Sequence, residues 1–264
     1  MYISLDQKTA LVTSATAGIG FAIAQGLAEA GAKVFITGRH TEKVDQAVAQ
    51  LKHQFPNAEI SGLALNAATA EGCAQIIAAL PQVDILINNL GIYGTCEFSQ
   101  ISDQQWFEFF ETNIMSGVRL SRHYMQAMQQ QGWGRIQFIS SESAFNIPAD
   151  MVHYGMTKSA IQGVSRGLAK ALAGSGVTVN TVLPGPTKTE GAIVMLQNIA
   201  REQGCSLLEA ERYFIEQHRN SSIIRRFAEP QEIANMVVYV ASEQASATTG
   251  AALRVEGGIV DSIH

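Results

Sequence analysis

Residues 13–20 read TSATAGIG and join two segments of different periodicity. The run before them, Lys8 to Thr13, is short and β-branched, whereas Ile19 to Ala30 repeats apolar residues at helical spacing and stops at Gly31. Glycines at a strand-to-helix turn let the backbone approach a pyrophosphate, and the helix N-terminus adds free N–H groups and partial positive charge. The string departs from the GxGxxG fingerprint, so a tight structural turn is the alternative.

The alternation of strand and helix continues to the end of the chain. Strands are predicted over 33–37, 59–64, 84–88, 135–139, 177–183 and 252–255, and helices over 41–54, 69–80, 103–131, 151–173, 192–203, 207–217 and 230–241. Continuous apolar strands between helices are typical of a mostly parallel sheet with helices on both faces. Right-handed crossovers then predict a doubly wound α/β fold of seven strands, with the ligand crevice at the carboxyl ends of the strands.

Composition excludes several classes of protein. The 264 residues are 47% hydrophobic and 16% charged, which excludes a disordered chain, and the net charge of −5 disfavours nucleic acid as a partner. No run of 18 apolar residues predicts a membrane span, and the first residues carry no signal-peptide pattern. Three cysteines without metal-ligand spacing favour reduced thiols in a cytoplasmic protein with no metal site. We expect one domain over residues 1–264.

One segment interrupts the alternation. Between Pro184 and Pro230 no strand is predicted, and two helices separated by Gly204 follow each other. An insertion of this length over the strand ends is typical of a functional loop, so we predict a mobile helical lid over about 189–222. A peripheral helical pair that makes an oligomer contact is the alternative.

Tyr154 and Lys158 lie four residues apart on a predicted helix and therefore share a face. An ammonium group near a phenol stabilises the phenolate and lowers the tyrosine pKa, which makes a proton donor and acceptor usable near neutral pH. Taken alone, the spacing also fits a solvated Tyr–Lys surface.

Several ordered motifs together resemble the short-chain dehydrogenase/reductase family, of the 250-residue type that includes carbonyl reductases. The resemblance runs from about Lys8 to residues 256–258. It rests on the family's TGxxxGxG at residues 13–20 with Ser14 for the first glycine, its NNAG at residues 88–91 with Leu90 for alanine, and its NxVxPG at residues 180–185. It rests also on an active-site set that matches Asn113, Ser141, Tyr154 and Lys158.

The resemblance implies a Rossmann-type fold and a hydride transfer between NADP(H) and a carbonyl or secondary alcohol. Tyr154 would exchange the proton with the substrate oxygen, Ser141 would hold that oxygen, and Lys158 would lower the tyrosine pKa and bind the nicotinamide ribose. Asn113 would anchor a water that connects Lys158 to solvent. The cofactor would be bound by Ser14, Thr16, Gly18, Ile19, Gly20, Arg39, Asn66, Asn89, Gly91, Tyr154, Lys158, Pro184, Gly185, Thr187 and Thr189.

Two details of these motifs carry expectations of their own. Ser14 places a Cβ in a turn where a positive φ would cost about 1 kcal/mol. The position at which NAD-preferring relatives carry aspartate falls on Gly38, followed by Arg39, so no carboxylate rejects a 2′-phosphate. Because Ala17 stands where many NADP-preferring relatives have a second basic residue, we expect NADP(H) to be preferred and NAD(H) to remain possible.

A second function from another class stays open at this point. A cofactor-sensing or scaffold protein could keep the fold and lose catalysis, although such a protein would be expected to lose the serine, tyrosine or lysine that this chain retains. The resemblance also implies a small-molecule substrate and a homotetramer built on the two long helices and the C-terminal segment.

Overall fold

The structure is a computed structural model that describes residues 2–263. Its centre is a sheet of seven parallel strands in the order β3-β2-β1-β4-β5-β6-β7. The strands are β1 (Thr9–Val12), β2 (Lys33–Gly38), β3 (Ile60–Ala64), β4 (Ile85–Asn88), β5 (Gly134–Ile139), β6 (Val177–Pro184) and β7 (Ala252–Val255). The order reverses between β1 and β4, so the carboxyl ends of these strands form the crevice that such sheets offer to ligands.

Helices cover both faces of the sheet, as the sequence predicts. They are α1 (Gly18–Glu29), α2 (Thr41–Gln54), α3 (Ala70–Ala79), α4 (Asp103–Phe110), α5 (Ser116–Gln131), α6 (Val152–Ala171), α7 (Glu190–Gln203), α8 (Leu207–His218) and α9 (Pro230–Ala241). One apolar cluster joins the sheet to α1, α2 and α9, and a second joins it to α3, α5 and α6. The predicted doubly wound α/β fold is confirmed, with strands that are all parallel.

The predicted helix over 103–131 is the main departure from expectation. It begins at Asp103 and ends at Gln131, but Glu111–Met115 forms a π-helical turn between α4 and α5. Apolar spacing alone cannot locate such a turn, because a hydrogen-bond pattern from residue i to residue i+5 defines it. The π turn contains Asn113, a predicted site residue.

The insertion between β6 and α9 consists of α7 and α8. They pack on each other through a small apolar cluster around Leu196, Ile215 and Phe227, separate from the two clusters of the sheet. A parallel bridge between Thr187 and Ala228 closes the base of the insertion. This base of the insertion lies next to the carboxyl end of β6. Across residues 2–263, every helix is too short or too polar to span a bilayer.

Candidate active site

A large pocket opens at the carboxyl ends of the strands. Its volume is about 1020 Å³, and its walls come from the glycine turn, the segments after β4, β5 and β6, the first turns of α6, and both helices of the insertion. Of the predicted site residues, its walls contain Ser14, Gly18, Ile19, Gly20, Asn89, Gly91, Ser141, Tyr154, Lys158, Pro184, Gly185, Thr187 and Thr189. The pocket walls do not include Thr16, Arg39, Asn66 and Asn113.

The glycine turn has the backbone strain that the sequence predicts. Ser14 has a φ of 53°, in the left-handed region, and its N–H donates to Thr37 Oγ1 at 3.1 Å. The Asn89 amide Nδ2 donates to the carbonyls of Thr13 and Ser14, both at 3.0 Å. Asn89 is a predicted cofactor-binding residue, and the structure engages its Nδ2 in holding the turn. A side chain fixed in this way preorganises the backbone that faces the pocket.

The start of α1 fits an anion. Its N-cap is Ala17, which supplies no side-chain acceptor, so the first N–H groups of the helix have no side-chain cap. Gly20 lies so close to the turn that a Cβ there would be 2.4 Å from Asn89 Nδ2 and 2.6 Å from the Ser14 carbonyl. Uncapped N–H groups beside a closely packed backbone are the arrangement in which helices bind pyrophosphate.

The outer predicted residues lie at the same edge of the sheet but beyond the pocket walls. Arg39 directly follows β2, is exposed, and makes no ion pair within residues 2–263. A Cβ at Gly38 would lie 2.6 Å from Thr16 Cγ2, so a larger side chain at this strand end would have to displace Thr16. Asn66, also a predicted cofactor-binding residue, uses Oδ1 to accept from the Ala68 N–H at 3.2 Å. The loop after β3 is therefore partly held by its own amide.

Asn113 links the loop after β4 to α6. Its Oδ1 accepts from the Ile92 N–H at 2.8 Å, and its Nδ2 donates to the Ile92 carbonyl and to Thr157 Oγ1, both at 3.0 Å. A Cβ at Gly91 would lie 3.5 Å from Asn113 Oδ1 and 3.2 Å from Lys158 Nζ, so both side chains pack against one glycine. The water contact proposed for Asn113 stays a prediction, while its role in positioning the loop follows from these bonds.

Ser141, Tyr154 and Lys158 converge from two elements. Ser141 follows β5, and Tyr154 and Lys158 lie in the first turns of α6. Ser141 Oγ donates to Glu142 Oε2 at 2.5 Å, whereas the neighbouring Ser140 hydroxyl donates to the Lys158 carbonyl. Lys158 Nζ donates to the Ile139 carbonyl at 3.0 Å and lies 5.6 Å from the centre of the Tyr154 ring.

Burial governs the protonation of this group. It raises the pKa of Tyr154 to about 12, while the side chain of Ser141 acts in the opposite direction. Burial also lowers the pKa of Lys158 to about 8. Desolvation of the phenol outweighs the other influences on the pKa of Tyr154, and the lowering effect expected of Lys158 stays a prediction.

The opposite wall comes from the segment after β6. Thr187 Oγ1 donates to the Gly185 carbonyl at 2.9 Å, and Thr189 Oγ1 accepts from the Ala192 N–H and so caps α7. Thr189 Cγ2 would lie 3.1 Å from a Cβ at Gly18, so this segment packs against the glycine turn. Among residues 2–263, no group of three or more His, Cys, Asp or Glu side chains could hold a metal ion.

One ion pair in the pocket lies beyond what sequence reasoning predicted. Arg219 Nε donates to Glu142 Oε1 at 2.6 Å, and both residues line the pocket. Glu142 is adjacent to Ser141, but Arg219 lies 77 positions further on, at the end of α8. No local pattern links two charges across such a separation, so only the fold could reveal the pair.

Comparison with known proteins agrees with this geometry. The family model described as short chain dehydrogenase matches residues 8–200. The chain is 47% identical to the uncharacterized oxidoreductase YvaG of Bacillus subtilis, with both chains covered completely, and 32% identical to a 3-oxoacyl-acyl-carrier-protein reductase of Aquifex aeolicus, over 98% of this chain and all of that protein. The L-sorbose reductase of Gluconobacter frateurii, solved with NADPH and L-sorbose, superimposes with a TM-score of 0.93 at 28% identity over both full lengths. The chain belongs to the short-chain dehydrogenase/reductase family and is an NAD(P)-dependent oxidoreductase of CH–OH and C=O groups.

Proposed function

We propose that the chain transfers a hydride between NADP(H) and a carbonyl or secondary alcohol, with Tyr154 as proton donor and acceptor. The observation that carries this proposal is the convergence of Ser141, Tyr154 and Lys158 on one wall of a pocket whose far wall is the glycine turn. A small-molecule substrate would reach the hydroxyls of Ser141 and Tyr154 from the side of α7. Nucleic acid and membrane are not proposed as partners.

The residues present fit a dinucleotide. The uncapped start of α1 and the close backbone at Gly20 suit the pyrophosphate, and Gly18 and Ile19 line the same wall. Asn89 and Gly91 would flank the adenosine side, and Thr16 and Asn66 its outer edge. Pro184, Gly185, Thr187 and Thr189 would contact the nicotinamide half. The bound cofactor supplies or accepts the hydride; orientation and proton transfer belong to the protein.

The proton steps follow from the burial of the site. During reduction the Tyr154 hydroxyl donates its proton to the substrate oxygen, and Ser141 donates a hydrogen bond to the same oxygen. A phenol with a pKa of about 12 holds this proton at neutral pH, so the structure favours the donor state. A positive charge on Lys158 would stabilise the phenolate that forms, and the Asn113 relay would resupply the proton.

Cofactor preference gives a direct test of Arg39. Because β2 ends in Gly38 and Arg39 makes no ion pair within residues 2–263, the Arg39 guanidinium can pair bidentately with a 2′-phosphate. We expect Arg39→Ala to raise KM for NADPH about tenfold and to leave KM for NADH nearly unchanged, since a charge-assisted hydrogen bond of this kind contributes about 1.5 kcal/mol. Wild-type enzyme that binds NADH more tightly, or an equal effect on both cofactors, would contradict the assignment.

Activity itself is tested by following NADPH consumption with a panel of ketones, aldehydes and alcohols. The proposal expects steady turnover with at least one carbonyl compound. The alternative of a catalytically silent sensor or scaffold expects tight NADPH binding without turnover. It is not favoured, because the relatives are named oxidoreductases and the serine, tyrosine and lysine converge.

Four expectations from the sequence remain proposals. The insertion over 189–222 is proposed as a lid, because α7 and α8 line the pocket. An ordered cofactor complex in which this segment has not moved relative to the free protein would contradict it. A single domain over 1–264 is proposed on the alternation of strands and helices, a cytoplasmic location on the cysteine pattern, and a homotetramer on the family resemblance.

A further inference from the structure

The pocket has a charged end next to the catalytic serine. Glu142 is 3% exposed, and its two carboxylate oxygens point in different directions. Oε2 accepts from Ser141 Oγ at 2.5 Å, and Oε1 accepts from Arg219 Nε at 2.6 Å. The carboxylate thus connects the hydroxyl that would hold the reacting oxygen to a guanidinium on the insertion.

We propose that the Glu142–Arg219 pair determines substrate specificity and selects neutral carbonyl compounds that carry hydroxyl groups beside the carbonyl. Ketoses and related polyhydroxy ketones belong to this class, while plain ketones and oxo acids are disfavoured. The inference rests on the proposed function, because it takes Ser141 and Tyr154 to hold the reacting oxygen.

The Ser141 hydroxyl has a single proton to donate. In the structure this proton goes to Glu142 Oε2, so the serine must release that bond to donate to a substrate oxygen. Oε2 then keeps only its bonds from the Ser143 N–H and hydroxyl. A buried carboxylate that loses a hydrogen bond is destabilised. A hydroxyl on the carbon next to the carbonyl can donate to Oε2 in place of Ser141, and a plain ketone cannot.

Two nitrogens of the Arg219 guanidinium are engaged by the protein. Its Nε bonds to Glu142, and its Nη1 donates to the His218 carbonyl at 2.7 Å. Within residues 2–263, Nη2 has no hydrogen-bond acceptor, and the side chain is only partly buried on the pocket wall. A further hydroxyl of the same substrate can accept from this free edge of the guanidinium.

The charged side chains on the pocket walls disfavour an anionic substrate. The described pocket walls carry the carboxylates of Glu142, Asp150, Glu190 and Glu202, against the amino group of Lys158 and the guanidinium of Arg219. Glu142 already compensates the charge of Arg219 at 2.6 Å. An anionic substrate would therefore meet a net negative surface, whereas a neutral hydroxylated one would meet donors and acceptors without repulsion.

The test compares three substrates of equal chain length with NADPH: a ketohexose, a linear hexanone and a linear oxohexanoate. Wild-type enzyme is expected to have its highest kcat/KM with the ketohexose. Arg219→Met should lower the ratio of kcat/KM for ketohexose to that for hexanone at least about tenfold, mainly through KM. Glu142→Gln should lower this ratio too, and should raise kcat/KM for oxohexanoate relative to ketohexose, since it removes a negative charge.

Arg212→Met is the matched control, because Arg212 is an exposed residue of α8 outside the pocket walls. It should leave kcat/KM for all three substrates unchanged. Preference of the wild type for hexanone or oxohexanoate would overturn the inference, as would an equal loss on all three substrates in Arg219→Met, which is what a pair that only fastens the insertion would give. Failure of wild type to reduce any carbonyl compound would instead overturn the proposed function.

Discussion

Tyr154→Phe is expected to lower kcat about 1000-fold while leaving the Kd for NADPH within about threefold, because general acid catalysis contributes in this range and the ring stays in place. The Tyr154 phenol is the proton donor in the proposed mechanism. Because burial raises its pKa to about 12, the phenol stays protonated near neutral pH. Steady-state kinetics and a fluorescence titration of NADPH measure the two quantities.

Tyr93→Phe is the control for that variant. Tyr93 lines the same pocket and stands edge-on to Tyr154 at a ring separation of 6.5 Å, so the change removes the same atom from the neighbouring ring. We expect kcat to stay within about threefold of wild type, since this hydroxyl has no assigned role in proton transfer. A Tyr154→Phe enzyme that keeps a tenth or more of the activity would remove Tyr154 from the mechanism.

Gly20→Ala is expected to weaken NADPH binding about 100-fold and to destabilise the fold by about 1–3 kcal/mol, as overpacking does. The new Cβ would meet the Ser14 carbonyl, which belongs to the turn that faces the pocket, and the Asn89 amide that holds this turn. Because neither the Ser14 carbonyl nor the Ala15 Cα is the end of a flexible side chain, the turn must shift. Thermal unfolding and a binding titration measure the two effects.

Gly26→Ala separates the effects on stability and binding. Gly26 lies two turns further along α1, and its Cβ would be 2.8 Å from Val238 Cγ2, on the side of the helix that packs against α9. This variant should lose a similar free energy of unfolding and keep the wild-type Kd for NADPH. If Gly26→Ala weakened NADPH binding as much as Gly20→Ala, the glycine turn would not be the cofactor cradle.

The sequence predicted the fold well because the signal lies in local periodicity. The apolar runs predict strands and helices that alternate along the chain. This alternation is typical of a parallel sheet covered by helices. The bounds of α2 and α9 and the strand Ala252–Val255 agree with expectation to the residue. The π turn around Asn113 was missed, because its signal is a hydrogen-bond pattern and not an apolar spacing.

The sequence predicted the site residues that belong to motifs. It did not predict which hydrogen bonds these side chains make with the rest of the protein. Ser141, Tyr154 and Lys158 converge as the motifs predict. Asn89 and Asn66 occupy the expected edge, yet each uses its amide to hold a loop, which spacing alone cannot reveal. The pairing of Glu142 with Arg219 depends on how the insertion folds back over the pocket, so no local pattern predicted it.

Hydride transfer from NADPH to the substrate carbon is measured directly with a deuterium label. NADPH that carries deuterium at the transferring position of the nicotinamide is incubated with the enzyme and a ketone that it reduces, and the product alcohol is analysed by mass spectrometry. We expect one deuterium per product molecule, on the carbinol carbon, and we expect Tyr154→Phe to lose this product. An alcohol without deuterium, or full labelling at the wild-type rate in Tyr154→Phe, would contradict it.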